Sequence, residues 1–187
     1  GLTGLRKAID SMRWKGHVTI ELGRAIAAEC GYYLTQIRDI KKNGDIQYCI
    51  VDGGNHHINY DGQIRGMYEP HLQILPGEPQ GREKMWTVCG ALCTANDVLC
   101  RDVKLTGVQS GKVLVFERTG AYSAMEGMSL FLSHPLPSVV TYQKDGGWRL
   151  LRKQKDTYLM NMPEDGGKSC LTEEITEIAG GLSGWKL

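Results

Sequence analysis

Hydrophobic positions along the chain change their spacing near Gly31. Before it, Leu5 and Ile9 recur at helical spacing, and a short apolar run follows them. This order predicts a helix over Leu5–Trp14, a strand over His17–Ile20, and a further helical turn over Ala25–Cys30. A strand, a loop and a helix in succession can bind phosphate at the start of the helix.

After this point, apolar and polar residues alternate with period two, and β-branched and aromatic residues predominate. Gly-containing turns separate the runs, and the turn Lys144–Gly147 between two apolar runs predicts a hairpin. A loop or short strand is expected after Asp97. The mixed spacing of apolar residues in Tyr122–Leu132 is compatible with a helical turn but does not decide for one. The sequence therefore predicts a mainly β body with strands over Tyr32–Arg38, Gln47–Asp52, Gly111–Arg118, Ser138–Gln143 and Trp148–Lys153.

The charge balance narrows the expected partners. With 22 basic and 21 acidic residues and a net charge of +1, the chain has no electrostatic reason to bind nucleic acid or an anionic membrane surface. Its longest apolar runs, such as Val113–Phe116, are too short to cross a bilayer. A small molecule or a protein is the expected partner. The six cysteines match neither zinc-site nor disulfide spacing and are interpreted as reduced thiols in a cytoplasm.

Four short motifs follow one another: Glu21–Arg24, Val51–Asn55, Gly90–Asp97 and Gly120–Ser123. In this order they resemble the series found in pyridoxal-phosphate-dependent amino-acid decarboxylases of the alanine-racemase-like class, which include the diaminopimelate, ornithine and arginine decarboxylases. The resemblance covers roughly residues 1 to 155. It implies that 1–30 is the last helix and strand of a cofactor-binding β/α barrel. It also implies that 31–158 is a C-terminal β-barrel or Greek-key domain, and that 159–187 is a linker and short peripheral helix.

The resemblance implies four contacts with the cofactor, pyridoxal 5'-phosphate. Glu21 would keep the pyridine nitrogen protonated, so that the ring can accept electrons as carbon dioxide leaves. Gly23 and Arg24 would lie beside the phosphate, because glycine lets the backbone approach and a guanidinium complements the negative charge. Tyr122 would donate a hydrogen bond to the phosphate. A lone Glu-x-Gly-Arg is more often a charged turn, and only the later motifs favour the cofactor interpretation.

Catalytic roles are implied for two residues. Cys93 would reach the neighbouring subunit's cofactor and handle protonation of the carbon left after decarboxylation. Asp97 would face the substrate's distal amino group or orient the loop. Thr94 stands where the family's decarboxylases place Glu or Asp, so a carboxylate that would bind a distal ammonium is missing.

Further substrate contacts rest on looser matches. Arg65 and Tyr68 resemble the pair that grips a distal carboxylate, and Phe131 falls at a substrate-facing position where core packing is equally compatible. His56 and His57 are adjacent, so on a strand they would point to opposite faces and serve poorly as metal co-ligands. No metal is expected.

The implied activity is decarboxylation of an amino acid by a longer homodimeric protein with its active site at the subunit interface. meso-Diaminopimelate, converted to lysine, is the first candidate substrate. Other possible substrates are an ornithine-like or arginine-like amino acid, a carboxylated polyamine and a carrier-tethered amino acid. The alternative function is a non-catalytic binding module. The Cys-x-x-x-Asp motif argues against a racemase. The chain is expected to lack the lysine that binds the cofactor covalently and therefore to be inactive alone.

Overall fold

The computed structural model describes residues 2–60, 70–78 and 80–163. Arg65, Tyr68 and the tail helix expected within 159–187 lie outside the described residues. The helices are α1 Leu2–Ser11 and α2 Gly23–Ala27, with short 3-10 helices at Ala28–Cys30, Phe131–Ser133 and Tyr158–Asn161. The strands are β1 Tyr33–Asn43, β2 Ile46–Val51, β3 Leu72–Leu75, β4 Lys84–Cys89, β5 Val98–Leu105, β6 Val113–Phe116, β7 Val139–Gln143 and β8 Gly147–Arg152.

A mixed six-stranded sheet in the order β3-β6-β1-β2-β4-β5 forms the body, and β7 and β8 form a separate hairpin. β2 and β4 are parallel, with Tyr48 opposite Thr87, and the other neighbouring strands are antiparallel. The β1–β2 and β7–β8 turns place Gly44 and Gly147 at φ values of 58° and 69°, which glycine adopts without steric cost. The predicted mainly β fold and the predicted hairpin are confirmed.

The hydrophobic core lies between the strands of the main sheet and the loop that follows β2. Along the start of β1, Tyr33, Thr35 and Ile37 are buried, whereas Leu34 between them is exposed. This alternation is the period-two pattern of a half-buried strand. The core is completed by residues with no exposed surface, which include Cys49, Val51, Val88, Leu99, Leu114 and Phe116. Burying each of the larger apolar side chains contributes about 1.5–3 kcal/mol.

The strand predictions differ from the structure at four places. The five predicted strands are present with ends shifted by a few residues, and β3 and β4 were not predicted. β5 has eight residues where a loop or short strand was expected, because pairing with β4 stabilises the polar stretch around Arg101. The strand predicted over His17–Ile20 is not formed, and those residues have no ladder partner among the described residues.

Both predicted helices are present. α1 lies three residues nearer the N-terminus than expected and buries no side chain completely. α2 and the following 3-10 helix occupy the predicted turn. The 3-10 helix Ala28–Cys30 lies against the loop before Tyr122, and this contact positions Tyr122 in the candidate site.

Candidate functional site

The stretch that follows β2 links the two regions that carry most candidate residues: the cysteine loop, Gly90–Asp97, and the tyrosine segment, Gly120–Ser133. The backbone N–H of Asn55 donates to Asp97 Oδ1 at 2.7 Å, and its side-chain amide donates to a carbonyl of the cysteine loop at 2.8 Å. On the other side, the carbonyl of Asn55 accepts from the Met128 N–H at 2.7 Å. Asn55 therefore holds the two regions in a fixed relation.

Asp97 organises the cysteine loop from inside. Its side chain is buried, and its two carboxylate oxygens accept hydrogen bonds from the backbone N–H groups of Asn55 and Leu92, each at 2.7 Å. Gly54 and Gly90 lie so close to this carboxylate that a β-carbon on either would collide with it. Of the two roles expected for Asp97, this arrangement fits orientation of the loop, because the carboxylate faces backbone groups of the protein.

The outer part of the loop presents uncharged side chains. Cys93 is an exposed free thiol, and Thr94 is half-buried. The Thr94 hydroxyl oxygen accepts a hydrogen bond from the Asn96 backbone N–H at 3.3 Å. The loop therefore has a stiff, backbone-bonded base and a surface that offers a thiol and a hydroxyl.

Gly23, Arg24 and Tyr122 come together although they are distant in the sequence. Arg24 Nη1 donates to the Ala121 carbonyl at 3.3 Å, and the Arg24 guanidinium lies 5.2 Å from the centre of the Tyr122 ring. A β-carbon on Gly23 would collide with the Tyr122 hydroxyl, so this hydroxyl lies directly against the Gly23 backbone. Glu21 is exposed two residues earlier. Three of the four predicted cofactor residues thus form one cluster.

Close backbone packing places Tyr122. The Thr119 N–H donates to the Gly31 carbonyl at 2.9 Å, and the Gly120 N–H donates to the Ala28 carbonyl at 3.0 Å. A β-carbon on either glycine would meet backbone atoms of the other segment. Tyr122 itself has a φ of 66°, a left-handed conformation that is uncommon for an aromatic residue and costs about 1–3 kcal/mol.

A phosphate group fits this cluster. Arg24 supplies a permanent positive charge and Tyr122 supplies a hydroxyl donor, and Gly23, which has no side chain, lets that hydroxyl lie against the backbone. A guanidinium and a hydroxyl are donors that suit a phosphate monoester. α2 is only five residues long, so little of the anion attraction expected from a helix N-terminus is available. The guanidinium and the hydroxyl are the main charge-complementary groups.

A histidine cluster secures the far end of the tyrosine segment. The Tyr33 hydroxyl donates to His57 Nδ1 at 2.8 Å, and His57 Nε2 donates to the Pro135 carbonyl at 3.1 Å, which requires the neutral Nε2–H tautomer. The His56 ring centre lies 3.9 Å from that of His57 and 4.9 Å from that of His134. Burial lowers the pKa of His56 to about 4 and also lowers the pKa of His57.

Sequence reasoning did not find these supporting residues. His56 and His57 were considered only as metal ligands, and the half-buried His134, which packs on His56, was not considered as part of the cluster. Among the described residues, no group of three or more metal-ligating side chains could hold a metal ion. The signal available for Asn55 was its place directly after Gly53-Gly54, where a close backbone approach is expected.

Phe131 lies on the surface. It is 41% exposed in the 3-10 helix Phe131–Ser133, so the core-packing alternative does not apply. Its neighbours Leu130 and Leu132 are also exposed. The described part of the chain contains no helix that is both long and apolar enough to span a bilayer.

Fold and site together define the class: a mixed β-sheet domain with an arginine–tyrosine cluster and an exposed cysteine on a loop held by backbone hydrogen bonds. The chain belongs to the pyridoxal-dependent decarboxylases, whose C-terminal sheet domain matches residues 20–120. That match includes Glu21, Gly23, Arg24 and the cysteine loop, and it ends just before Tyr122.

Three curated relatives show the range of the family. The chain is 33% identical over 129 residues to the 2-[(L-alanin-3-ylcarbamoyl)methyl]-2-hydroxybutanedioate decarboxylase of Staphylococcus aureus, covering 66% of this chain and 32% of the relative. It is 30% identical to the L-glutamyl-[BtrI acyl-carrier protein] decarboxylase of Niallia circulans, and the match covers 72% of this chain and 32% of the relative. It is 31% identical to the diaminopimelate decarboxylase of Deinococcus radiodurans, and the match covers 73% of this chain and 34% of the relative.

The fold agrees with these matches. A crystal structure of a diaminopimelate decarboxylase superposes with a TM-score of 0.63 at 27% identity, covering 74% of this chain and 34% of that structure. The chain spans about a third of the length of the relatives it matches.

Proposed function

We propose that the full-length protein to which this chain belongs is a pyridoxal-phosphate-dependent amino-acid decarboxylase. The observation that carries the proposal is the convergence of Gly23, Arg24 and Tyr122, which brings a guanidinium and a hydroxyl together inside a domain of this family. When bound, pyridoxal phosphate supplies an electron-accepting ring that stabilises the charge left as carbon dioxide departs.

Each residue of the proposed site has a separate role. Arg24 and Tyr122 would hold the phosphate by charge and by a hydroxyl hydrogen bond, and Gly23 lets the Tyr122 hydroxyl approach the backbone there. Glu21, exposed two residues before Gly23, would hold the protonated pyridine nitrogen. Cys93 delivers the proton to the substrate carbon from its thiol, and Asp97 keeps that thiol in place by fixing the loop backbone.

meso-Diaminopimelate is the first substrate to test, because the matched decarboxylases include several that act on diaminopimelate. The relatives from S. aureus and N. circulans act on a carboxylate-bearing amide and on a carrier-bound glutamyl group, respectively. Because Thr94 stands where the family's decarboxylases place a carboxylate, such substrates belong in the panel of amino acids to be tested. Ornithine, arginine and carboxylated polyamines complete that panel. Arg65, Tyr68 and Phe131 are proposed substrate contacts.

The proposal extends to the assembly. A homodimer would place Cys93 of one subunit in the active site of the other, in a cytoplasmic enzyme. This chain alone would be inactive, because the proposed site needs a lysine from a region outside it. A non-catalytic binding module is the competing function, and it would give no reason for the thiol and the phosphate cluster to occur together.

The test is cofactor binding by the full-length protein. We expect visible-range absorbance from lysine-bound pyridoxal phosphate and release of carbon dioxide from at least one amino acid of the panel. Arg24→Ala should weaken cofactor binding by about 10-fold or more, because a charge-assisted hydrogen bond to phosphate is lost. Arg6→Ala on the exposed face of α1 is the control and should change nothing. Absence of the absorbance with a folded protein would refute the proposal.

A further inference from the structure

We infer that His57 and the buried Tyr33 hydroxyl are positioning residues for Tyr122, and that they thereby set how tightly the protein holds the cofactor phosphate. They act through the backbone of Asn55–Asn59, the support stretch. This inference rests on the proposed function, because Tyr122 meets a phosphate only if the protein binds pyridoxal phosphate.

The support stretch holds the tyrosine segment at two points. Its last residue, Asn59, donates its backbone N–H to the Ser123 carbonyl at 2.8 Å. The carbonyl of its first residue, Asn55, accepts from the Met128 N–H at 2.7 Å. Ser123 directly follows Tyr122 in the chain. The support stretch therefore fixes the backbone beside Tyr122.

The His57 side chain anchors the support stretch from two sides. Its Nδ1 accepts a hydrogen bond from the Tyr33 hydroxyl at 2.8 Å, and its Nε2 donates to the Pro135 carbonyl at 3.1 Å. The Tyr33 and His57 rings also pack edge to face, with their centres 5.8 Å apart. One ring in the middle of the support stretch thus ties it to the main sheet and to the chain beyond the tyrosine segment.

Burial keeps both groups in the protonation states that these bonds require. It raises the pKa of Tyr33 well above its usual value, so the phenol keeps the proton that it donates. It lowers the pKa of His57, so the ring stays neutral and Nδ1 keeps a lone pair for that proton. The carboxylates of Asp52 and Asp97 act against this lowering, and burial outweighs them.

Tyr33 brings its hydroxyl from a rigid part of the core. The residue is 8% exposed, and its ring centre lies 5.7 Å from that of Phe116 on β6. A β-carbon on Gly53 would collide with the hydroxyl. Replacement by phenylalanine keeps the ring and its packing and removes the hydroxyl with its hydrogen bond. The positioning bond can therefore be tested apart from the packing of the core.

The first test compares two tyrosine-to-phenylalanine variants of the full-length protein. Tyr33→Phe should weaken pyridoxal phosphate binding by about 5-fold or more, and kcat at saturating cofactor should stay within about 2-fold, because the reacting groups are unchanged. Tyr32→Phe, at the exposed neighbouring position, is the matched control and should change neither. A Tyr33→Phe variant with the wild-type dissociation constant for pyridoxal phosphate would overturn the inference.

A double-mutant cycle tests whether the hydroxyl acts through His57. His57→Leu should weaken cofactor binding by about 10-fold or more, and adding Tyr33→Phe to it should cause no further loss, because the hydroxyl then has no acceptor. His57→Gln keeps an amide donor for the Pro135 carbonyl and should lose less affinity than His57→Leu. Losses that add in the double variant, or equal losses in the two His57 variants, would overturn the role of His57.

Hydrogen exchange in the full-length protein without cofactor gives a readout that does not depend on the proposed function. Tyr33→Phe should speed the exchange of the Asn59 and Met128 backbone N–H groups and leave the exchange in β4 and β5 unchanged. Equal exchange in the wild type and the variant would overturn the inference. A folded wild-type protein that binds no pyridoxal phosphate would instead refute the proposed function.

Discussion

At the scale of single residues, Asp97 and the histidine cluster have the clearest consequences. Asp97 accepts two backbone N–H groups from two different loops, so its negative charge is used to hold the backbone. The sequence motif identified Asp97 as important but left both of its roles open. The structure separates the two roles by the burial of Asp97 and by its hydrogen-bond partners, which lie 42 and 5 residues away in the sequence. The spacing of residues in a motif gives no information about either.

Replacing Asp97 by Asn should destabilise the protein and disturb the loop. An amide nitrogen in place of one carboxylate oxygen would face a backbone donor, so we expect a loss of about 2–4 kcal/mol in the free energy of unfolding, measured by chemical denaturation. Asp45→Asn in the exposed β1–β2 turn should change it by less than about 0.5 kcal/mol. Equal stability of the two variants would contradict the buried role.

The lowered pKa of His56 predicts that the stability of the protein depends on pH. Its pKa is about 4 in the folded protein and 6.5 in the unfolded chain, so above pH 6.5 both states are neutral and pH has no effect through this residue. As the pH falls from 6.5 to 4, the unfolded state binds the proton first, and the free energy of unfolding decreases by up to about 3 kcal/mol. His57, which is half-buried and whose pKa is also lowered by burial, acts in the same direction.

Denaturation curves at several pH values measure this decrease. His56→Gln should flatten the dependence between pH 6.5 and 4, whereas His17→Gln, at an exposed position, should keep it. A wild-type stability that rises on acidification through this range would contradict the neutral, buried state of the cluster.

At the scale of elements, the contact between the 3-10 helix Ala28–Cys30 and the tyrosine segment positions Tyr122. The period-two pattern and the turn signals predicted β1, β2, β6, β7 and β8, and in β1 the alternation follows burial on one face. It missed β3 and β4 and predicted only a loop or short strand at β5. Pairing of β4 with β2 and β5 supplies stability that local sequence does not show. The meeting of Gly31 with Gly120 is a tertiary approach that no local pattern contains.

Gly120→Ala should therefore displace Tyr122. The added methyl group would meet the Ala27 carbonyl and the Gly31 backbone, so we expect weaker cofactor binding by the full-length protein and a loss of stability of about 1–3 kcal/mol. Gly4→Ala in α1, where a β-carbon has open space, is the matched control and should be neutral or slightly stabilising. A Gly120→Ala variant with the wild-type affinity for pyridoxal phosphate would show that this contact does not place the site.

At the scale of the whole molecule, the proposed function assigns the chain two elements that serve one reaction. We propose that the cluster of Gly23, Arg24 and Tyr122 binds the cofactor phosphate and that the cysteine loop presents the proton donor. The motif order in the sequence was sufficient to identify the family, which the match over residues 20–120 confirms. The assembly that would bring the two elements into one active site stays a prediction, because it requires a second subunit.

Mixing Arg24→Ala and Cys93→Ala variants of the full-length protein, at a pyridoxal phosphate concentration that leaves Arg24→Ala alone without activity, tests the central claim most directly. In a dimer whose active sites each take Arg24 from one subunit and Cys93 from the other, combining Arg24→Ala with Cys93→Ala subunits restores one intact site in each mixed dimer. After complete subunit exchange, about a quarter of the wild-type decarboxylase activity should return, since about half of the dimers are mixed and each has one intact site of two. Activity that stays at the level of the separate variants, with subunit exchange verified, would contradict the account.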